Sequence, residues 1–359
     1  MSILIFAVIL GTLVLVHEFG HFIVAKRFGV RVDEFGIGFP PRLFAFRKGE
    51  TEYSLNLIPL GGFVKIFGED PEDTLSPENK ERSFSSKSKW TQAAILVAGV
   101  FFNFVFAWFL LSINFISGVD VPVTYREGVV NARLMVTYIV PQSPAEAAGI
   151  HAGDVILFLE EGGRALQDIT PEDVSNFIAS SKGEITFLYK RNEETRTVVI
   201  SPTDGILPEK KAIGISMDLV GTIKLPIHEA VIEGAKTTSQ LIYATTLGLF
   251  TFFDSVFRGT GDFSQISGPV GIVSMVDDVS QLGFLHIISF AALISINLGV
   301  INLLPFPALD GGRLFFIFIE AIIRRPIKPV FVRTAHGLGF VLLILLMLVV
   351  TFNDIVRLF

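Results

Sequence analysis

Val16-His17-Glu18-Phe19-Gly20-His21 reads H-E-x-x-H, and it lies inside an almost uncharged apolar run from Ile3 to Ala25. On a helix, positions i and i+4 project from one face, so His17 and His21 point the same way. Two imidazoles on one face can hold Zn2+, and a neighbouring carboxylate, Glu18, can take a proton from a metal-bound water. A run of this length is long enough to cross a bilayer as a helix. An ionisable triplet inside a membrane helix is costly, and it points to chemistry before it points to packing.

The composition agrees with that address. Of 359 residues, 50% are hydrophobic and only 18% are charged, the balance of a membrane protein with a polar insert. The net charge of −6 gives no basic footprint, so no nucleic-acid partner is expected. The absence of cysteine removes disulfides, Cys nucleophiles and Cys-based zinc knuckles together. No Lys or Arg precedes Lys26, whereas a cleavable signal peptide begins with a charged region. Residues 1–25 therefore read as a retained first transmembrane helix.

Residues 26–90 form a polar segment punctuated by Gly and Pro. Gly36-Ile37-Gly38-Phe39-Pro40-Pro41 is incompatible with a regular helix. Glu52–Ile58 alternates as a strand does, Pro59-Leu60-Gly61-Gly62 reads as a turn, and Phe63–Phe67 reads as a second strand. The expectation is a membrane-associated β-hairpin with an edge that an extended peptide can join, followed by an acidic, Pro- and Ser-rich mobile linker from Glu69 to Lys89. Residues 91–117 are the second transmembrane helix. Its Asn103 reads more readily as an interhelical hydrogen bond than as a lining residue of a site.

Residues 118–283 are an insert. The stretch Ser143-Pro144-Ala145-Glu146-Ala147-Ala148-Gly149-Ile150-His151-Ala152-Gly153-Asp154 predicts a short helix ended by Gly149 and a tight Gly-Asp turn into a strand. A helix over 171–179 and strands near 185–190 and 195–200 should follow. The S-P-A-x-x-A-G-I-x-x-G-D pattern resembles PDZ domains of the bacterial protease-associated type, which implies a PDZ-like domain over 118–205 with a groove for an extended segment or chain end. The post-domain region, 206–283, holds a helical pattern from Ile227 to Phe257. Its Thr-rich part, 239–257, is expected to lie amphipathically at the membrane surface rather than to cross. Ser267–Ile272 reads as a turn.

The third transmembrane segment, 284–325, contains Asn302-Leu303-Leu304-Pro305-Phe306-Pro307-Ala308-Leu309-Asp310-Gly311-Gly312. Its prolines and glycines should break the helix, and irregular backbone at membrane depth survives only buried in protein or lining a wet cavity. The fourth transmembrane helix is expected over 336–354. Lys and Arg crowd 26–90 and 324–333, which places both segments in the cytoplasm and the termini and insert outside. Segments one and three then run in the same direction, bringing His17, His21 and Asp310 to one depth. Taken alone Asp310 reads equally well as a polar helix cap; beside H-E-x-x-H it is favoured as the third zinc ligand.

H-E-x-x-H in the first segment with N-x-x-P-x-x-x-L-D-G in the third resembles the site-2 protease family of intramembrane zinc metalloproteases, in the order of parts of its bacterial RseP-type members. The resemblance runs through nearly the whole chain, with a single PDZ-like domain where the best-known member has two. It implies that His17, His21 and Asp310 bind Zn2+, that Glu18 is the general base, and that Asn302 helps hold the substrate backbone or developing oxyanion. It also implies that the hairpin around Gly61, Gly62, Phe63 and Val64 clamps substrate as an added strand. The fold expected is a multi-pass α-helical membrane protein of about four transmembrane helices, with an inserted α+β PDZ-like domain and the hairpin. The partners implied are the lipid bilayer, in a bacterial inner membrane, and a single-pass membrane protein substrate of the anti-sigma-factor or signal-peptide-remnant class, cut after a first extracytoplasmic cleavage. A metal transporter or an inactive PDZ-bearing scaffold is the alternative. The transporter has no use for Glu18 at this spacing or for a PDZ insert, the inactive scaffold would require His17, Glu18 or His21 to be missing and none is, and a PDZ-type chaperone or adaptor leaves the triplet idle.

Overall fold

The computed structural model describes residues 1–69, 80–125, 128–166, 169–191, 194–207, 210–261 and 267–357. The chain divides into two compact units, residues 1–113 with 228–359, and residues 114–227. It is a multi-pass helical membrane protein with an inserted β-rich domain.

In the first unit, α1 (Ser2–Arg27) is followed by β1 (Val32–Lys48), β2 (Thr51–Ile66) and α2 (Lys89–Ser117). Helix α1 inverts the pattern of a soluble helix. Ile3, Leu4 and Val8 are exposed, while His17, Gly20 and His21 are buried. Apolar outside and polar inside is what a bilayer selects. Helices α1 and α2 approach closely. A Cβ on Gly20 would stand 2.5 Å from the Ala98 carbonyl oxygen and 3.0 Å from the Gly99 Cα. Small residues at such a crossing let backbones meet where no hydrophobic effect drives association.

Strands β1 and β2 form one antiparallel hairpin that folds back on itself. Arg42–Lys48 pairs with Thr51–Asn56, while Val32–Ile37 pairs with Gly62–Ile66 and also lies beside Glu52–Leu55. The hairpin turn is therefore at Gly49-Glu50. Pro59–Gly62, expected as a loop between two strands, stays within β2 and is the place where β2 changes partner. Strand β1 escaped the sequence reading because glycine and proline interrupt its alternation. Gly38 takes a left-handed φ of 78°, and the strand bends there. Leu43, Phe44, Phe46 and Leu57 stand exposed along the hairpin. Residues 70–79 of the expected acidic linker lie outside the described residues.

The C-terminal part of this unit comprises five further helices among the described residues. Before them, numbered in chain order, come the elements of the second unit. Strands β3 (Val119–Pro122) and β4 (Val130–Ile139) are followed by α3 (Pro144–Ala147), β5 (Val155–Glu161) and β6 (Arg164–Ala165). Then come α4 (Pro171–Ser180), β7 (Ile185–Arg191), β8 (Glu194–Ile200), β9 (Thr203–Leu207), β10 (Lys210–Ala212) and β11 (Ile215–Ile223).

Helix α3 has the predicted form. Ser143 accepts from the Glu146 N–H, Pro144 opens the first turn, and Gly149 closes it with a φ of 76°. Asp154 accepts from the His151 N–H at 2.8 Å and pairs with Arg191, and both groups are largely buried. The expected end of the domain at 205 is too early. The main sheet has the order β3-β11-β4-β5-β7-β8, so β11 is an inner strand between β3 and β4. Asp218 and Gly221 disturb the alternation that would have marked it. Phe187, Leu159, Ile185 and Val174 lie at the centre of the core beneath this sheet.

The remaining helices of the first unit are α5 (Ile227–Phe257), α6 (Pro269–Gln281), α7 (Phe284–Asn302), α8 (Asp310–Ile323) and α9 (Pro329–Arg357). Helices α1, α2, α7 and α9 are long and apolar enough to cross a membrane. Helix α5 packs against its neighbours. Gly234 packs on Ser112, the Trp108 indole donates to the Val231 carbonyl at 2.8 Å, and Thr245 donates to Asn297 of α7 at 3.0 Å. Thr238 is buried and Thr245 reaches α7, and α5 is not among the helices apolar enough to cross a membrane. Helix α6 stands where a turn was expected. Pro269 sits in its first turn, where the missing N–H costs nothing, and the capping carboxylate is the distant Asp354, which accepts from Gly268 and Gly271. The expected break is present between α7 and α8.

Asp154→Ala should leave the Arg191 guanidinium and the His151 N–H without their partner. The expected cost is about 3 kcal/mol, read as faster hydrogen exchange of the β4 and β7 amides with the other unit unaffected. Unchanged exchange would show the ion pair to be dispensable.

Candidate metal centre

His17 and His21 lie on one face of α1, 6% and 5% exposed. Asp310 is the first residue of α8, directly after the break that ends α7. Several backbone groups of the break are satisfied locally. Leu303 and Leu304 donate back to Val300 and Ile301, and Leu309 donates to the Phe306 carbonyl. Irregular chain at this depth is tolerable on those terms. Gly311 and Gly312 lie so close to the Leu303, Leu304 and Phe306 backbone that a Cβ at either would come within 2.2 Å of a carbonyl oxygen. The break is thus folded tightly against the start of α8.

The outcome is a convergence of three side chains. Asp310 Oδ2 lies 2.9 Å from His17 Nε2 and 3.2 Å from His21 Nε2, and the two Nε2 atoms are 3.2 Å apart. The rings meet edge to face. Among the described residues this is the one group of three His, Asp or Glu side chains close enough to share a metal ion.

The donor chemistry fits a divalent cation. His21 Nδ1 lies 2.8 Å from the Ile95 carbonyl, which can only accept, so its proton is on Nδ1 and its Nε2 is a bare lone pair. His17 Nδ1 lies 3.2 Å from the side-chain amide of Asn103, whose Oδ1 is otherwise buried without a partner. Turning that amide by 180° sets Oδ1 opposite Nδ1–H and frees His17 Nε2 in the same way. Two bare nitrogens and a carboxylate oxygen then face one point. Two His and one carboxylate make the three-ligand set of catalytic zinc sites, which leaves a fourth position open.

Glu18 is half-buried beside this centre and accepts a hydrogen bond from the Val64 backbone N–H. Arg313, one turn along α8 from Asp310, pairs with Glu69 just beyond β2. Of the other residues singled out in the sequence, Asn103 reaches His17 and Val64 meets Glu18. Gly61 and Gly62 lie at the bend of β2, the Phe63 ring covers Gly36, and Asn302 stands half-buried at the end of α7. Asn103, on the buried face of α2, makes the interhelical hydrogen bond read from the sequence, and makes it to a histidine of the centre. The sequence gave no sign of the Ile95 carbonyl or the Val64 N–H, because backbone atoms carry no residue signature. Gly99 was also passed over. A Cβ there would lie 2.4 Å from His21 Nε2 and 2.8 Å from His17 Cε1.

Gly99→Ala should therefore displace the imidazole pair and weaken zinc binding at least about tenfold, measured by metal titration of purified protein. Gly248→Ala, where a Cβ meets nothing within 4 Å, is the neutral comparison. Equal zinc affinity in the two variants would remove Gly99 from the site.

Residues 5–346 match Peptidase family M50. A protein of Clostridium perfringens is 35% identical over 358 residues, 98% of each chain. The "Regulator of sigma-W protease RasP" of Bacillus subtilis is 32% identical, covering 100% of this chain and 99% of its own. The "Zinc metalloprotease RasP" of Oceanobacillus iheyensis is 31% identical at the same coverage. The two RasP alignments run to 437 and 438 positions against the 359 residues here, so those relatives carry additional segments. With the family match spanning nearly the whole chain and a third of positions shared end to end, the chain belongs to Peptidase family M50.

Proposed function

We propose that this M50 peptidase is a zinc-dependent endopeptidase of the site-2 type that hydrolyses a peptide bond within or near the transmembrane segment of another membrane protein. The observation that carries the reading is the meeting of His17, His21 and Asp310, with Glu18 alongside, within a pack of helices long enough to cross a bilayer. His17, His21 and Asp310 hold the metal, which when bound polarises the scissile carbonyl and acidifies a water.

The chain's own groups do the rest. Glu18 takes the proton of the attacking water and later gives it to the leaving amine. The Val64 N–H keeps that carboxylate facing the centre. Ile95 and Asn103 fix the imidazole tautomers. Asn302, at the end of α7, holds the substrate backbone or the developing oxyanion. A transmembrane substrate has its carbonyls bonded internally and must unwind before attack. The hairpin offsets that cost by taking the unwound segment as an added strand along Gly61–Val64. The exposed Leu43, Phe44, Phe46 and Leu57 support its seat at the membrane. An apolar cavity of about 590 Å3 beside the break, lined by Trp90, Leu303, Pro305, Gly311 and Phe315 among others, suits an apolar substrate side chain.

The inserted unit reads as a PDZ-like domain that restricts entry to substrates already trimmed outside, so that cleavage is the second cut of a regulated sequence. The Bacillus relative named as a regulator of sigma-W protease supports a single-pass substrate of the anti-sigma-factor class, with signal-peptide remnants as the other. The Lys/Arg bias supports a bacterial inner membrane with the hairpin cytoplasmic and the inserted unit outside.

Cysteines at Ser86 and Thr203 should react with impermeant thiol reagents from opposite faces of the membrane, Ser86 from the cytoplasm. Labelling from one face would overturn the orientation. Glu18→Gln should bind about one zinc per chain and retain substrate, yet lose cleavage by a factor of about 100 or more. Asp310→Ala and His17→Ala should lose zinc and cleavage together. If all three carry equal zinc, the division of roles fails. If wild-type protein cleaves without stoichiometric metal, the metalloprotease reading fails with it.

A further inference from the structure

Helix α9 supplies no residue to the metal centre, yet it holds the segment that presents Asp310. Ala308, two residues before Asp310, has a φ of 81°, a left-handed conformation that costs a residue with a Cβ on the order of 1 kcal/mol or more. Its N–H donates to His336 Nδ1 of α9 at 2.9 Å. One turn on, Gly339 receives the neighbouring residue. A Cβ there would stand 2.4 Å from the Pro307 carbonyl oxygen. One face of α9 thus cradles Pro307 and Ala308, the hinge of the break.

The choice of histidine for this task is informative. Because Nδ1 accepts, the ring proton is on Nε2, and Nε2 is buried with no hydrogen-bond partner among the described residues. A buried, unpaired N–H costs about 1–3 kcal/mol, so general stability does not select it. The ring is also wedged edge-on against Phe316 of α8. It contacts both sides of Asp310, the break through Ala308 and the helix through Phe316.

We propose that His336 is a positioning residue for the metal ligand Asp310. Its Nδ1 fixes the left-handed Ala308 and its ring braces α8, so the carboxylate starts α8 within reach of both His17 and His21. This rests on the reading of Asp310 as a ligand. It makes α9 a working part of the peptidase rather than a membrane anchor.

An Asn side chain places its amide oxygen near the position of Nδ1, whereas a Gln places its polar end near Nε2. His336→Asn should keep zinc affinity and kcat within about threefold of wild type. His336→Gln should lose about 10–100-fold in zinc affinity with a matching fall in kcat and little change in KM. Thermal unfolding in detergent should be similar for the two. Zinc affinity is read by competition with a chromogenic chelator, without reference to turnover. If Asn and Gln variants bind zinc equally, or if Asn is the more impaired, the positioning role is wrong. Should wild-type protein hold no stoichiometric zinc, it is the reading of the centre that fails, and that result is separate from the Asn–Gln comparison.

Discussion

Three lone pairs aimed at one point, deep in an apolar helix pack, repel one another unless a cation lies among them. That constraint organises the whole membrane unit. Each imidazole must be held with its proton turned away, which engages the Ile95 carbonyl and the Asn103 amide of α2. Each backbone must come near enough for short side chains to meet, which requires Gly20 and Gly99 at the α1–α2 crossing. The carboxylate must arrive from a third helix, which requires α7 to stop and α8 to begin in mid-membrane. Solvation cannot help any of these groups, so the protein has to satisfy every one.

Much of this was legible in the sequence, and the reason is chemical. Ionisable residues are so costly in lipid-facing helices that His17, Glu18, His21 and Asp310 stand out against their surroundings. The Pro and Gly pattern from Asn302 to Gly312 could hardly be anything but a break. Likewise, α3 and its Gly-Asp turn were readable because capping rules act within a few residues. What stayed hidden was non-local. The cap of α6 comes from Asp354, the inner position of β11 depends on strands that precede it by many residues, and α5 meets α2 through Gly234 and α7 through Thr245. The hairpin turn was misplaced because Pro59–Gly62 has turn composition while β2 merely exchanges partners there.

The doubled hairpin joins substrate handling to chemistry through one peptide group. Val64 belongs to the strand segment proposed to meet substrate, and its N–H bonds the Glu18 carboxylate. A shift of β2 on binding an extended peptide would therefore be felt at Glu18 directly, with no side chain in between. The Arg313–Glu69 pair ties the chain just beyond the same strand to α8, so both carboxylates, Glu18 and Asp310, are referenced to β2.

His17 and Asp310 are separated by 293 positions in the chain. During synthesis α1 enters the bilayer first, carrying two histidines and a glutamate with no counter-ligand. Insertion of α2 brings Asn103 and the Ile95 carbonyl, but the carboxylate follows only after the inserted unit and three more helices have been made. Until then the nascent chain carries the two histidines and the glutamate without the carboxylate that joins them. The order of these residues along the polypeptide thus means that the cluster is complete only once α8 has been made.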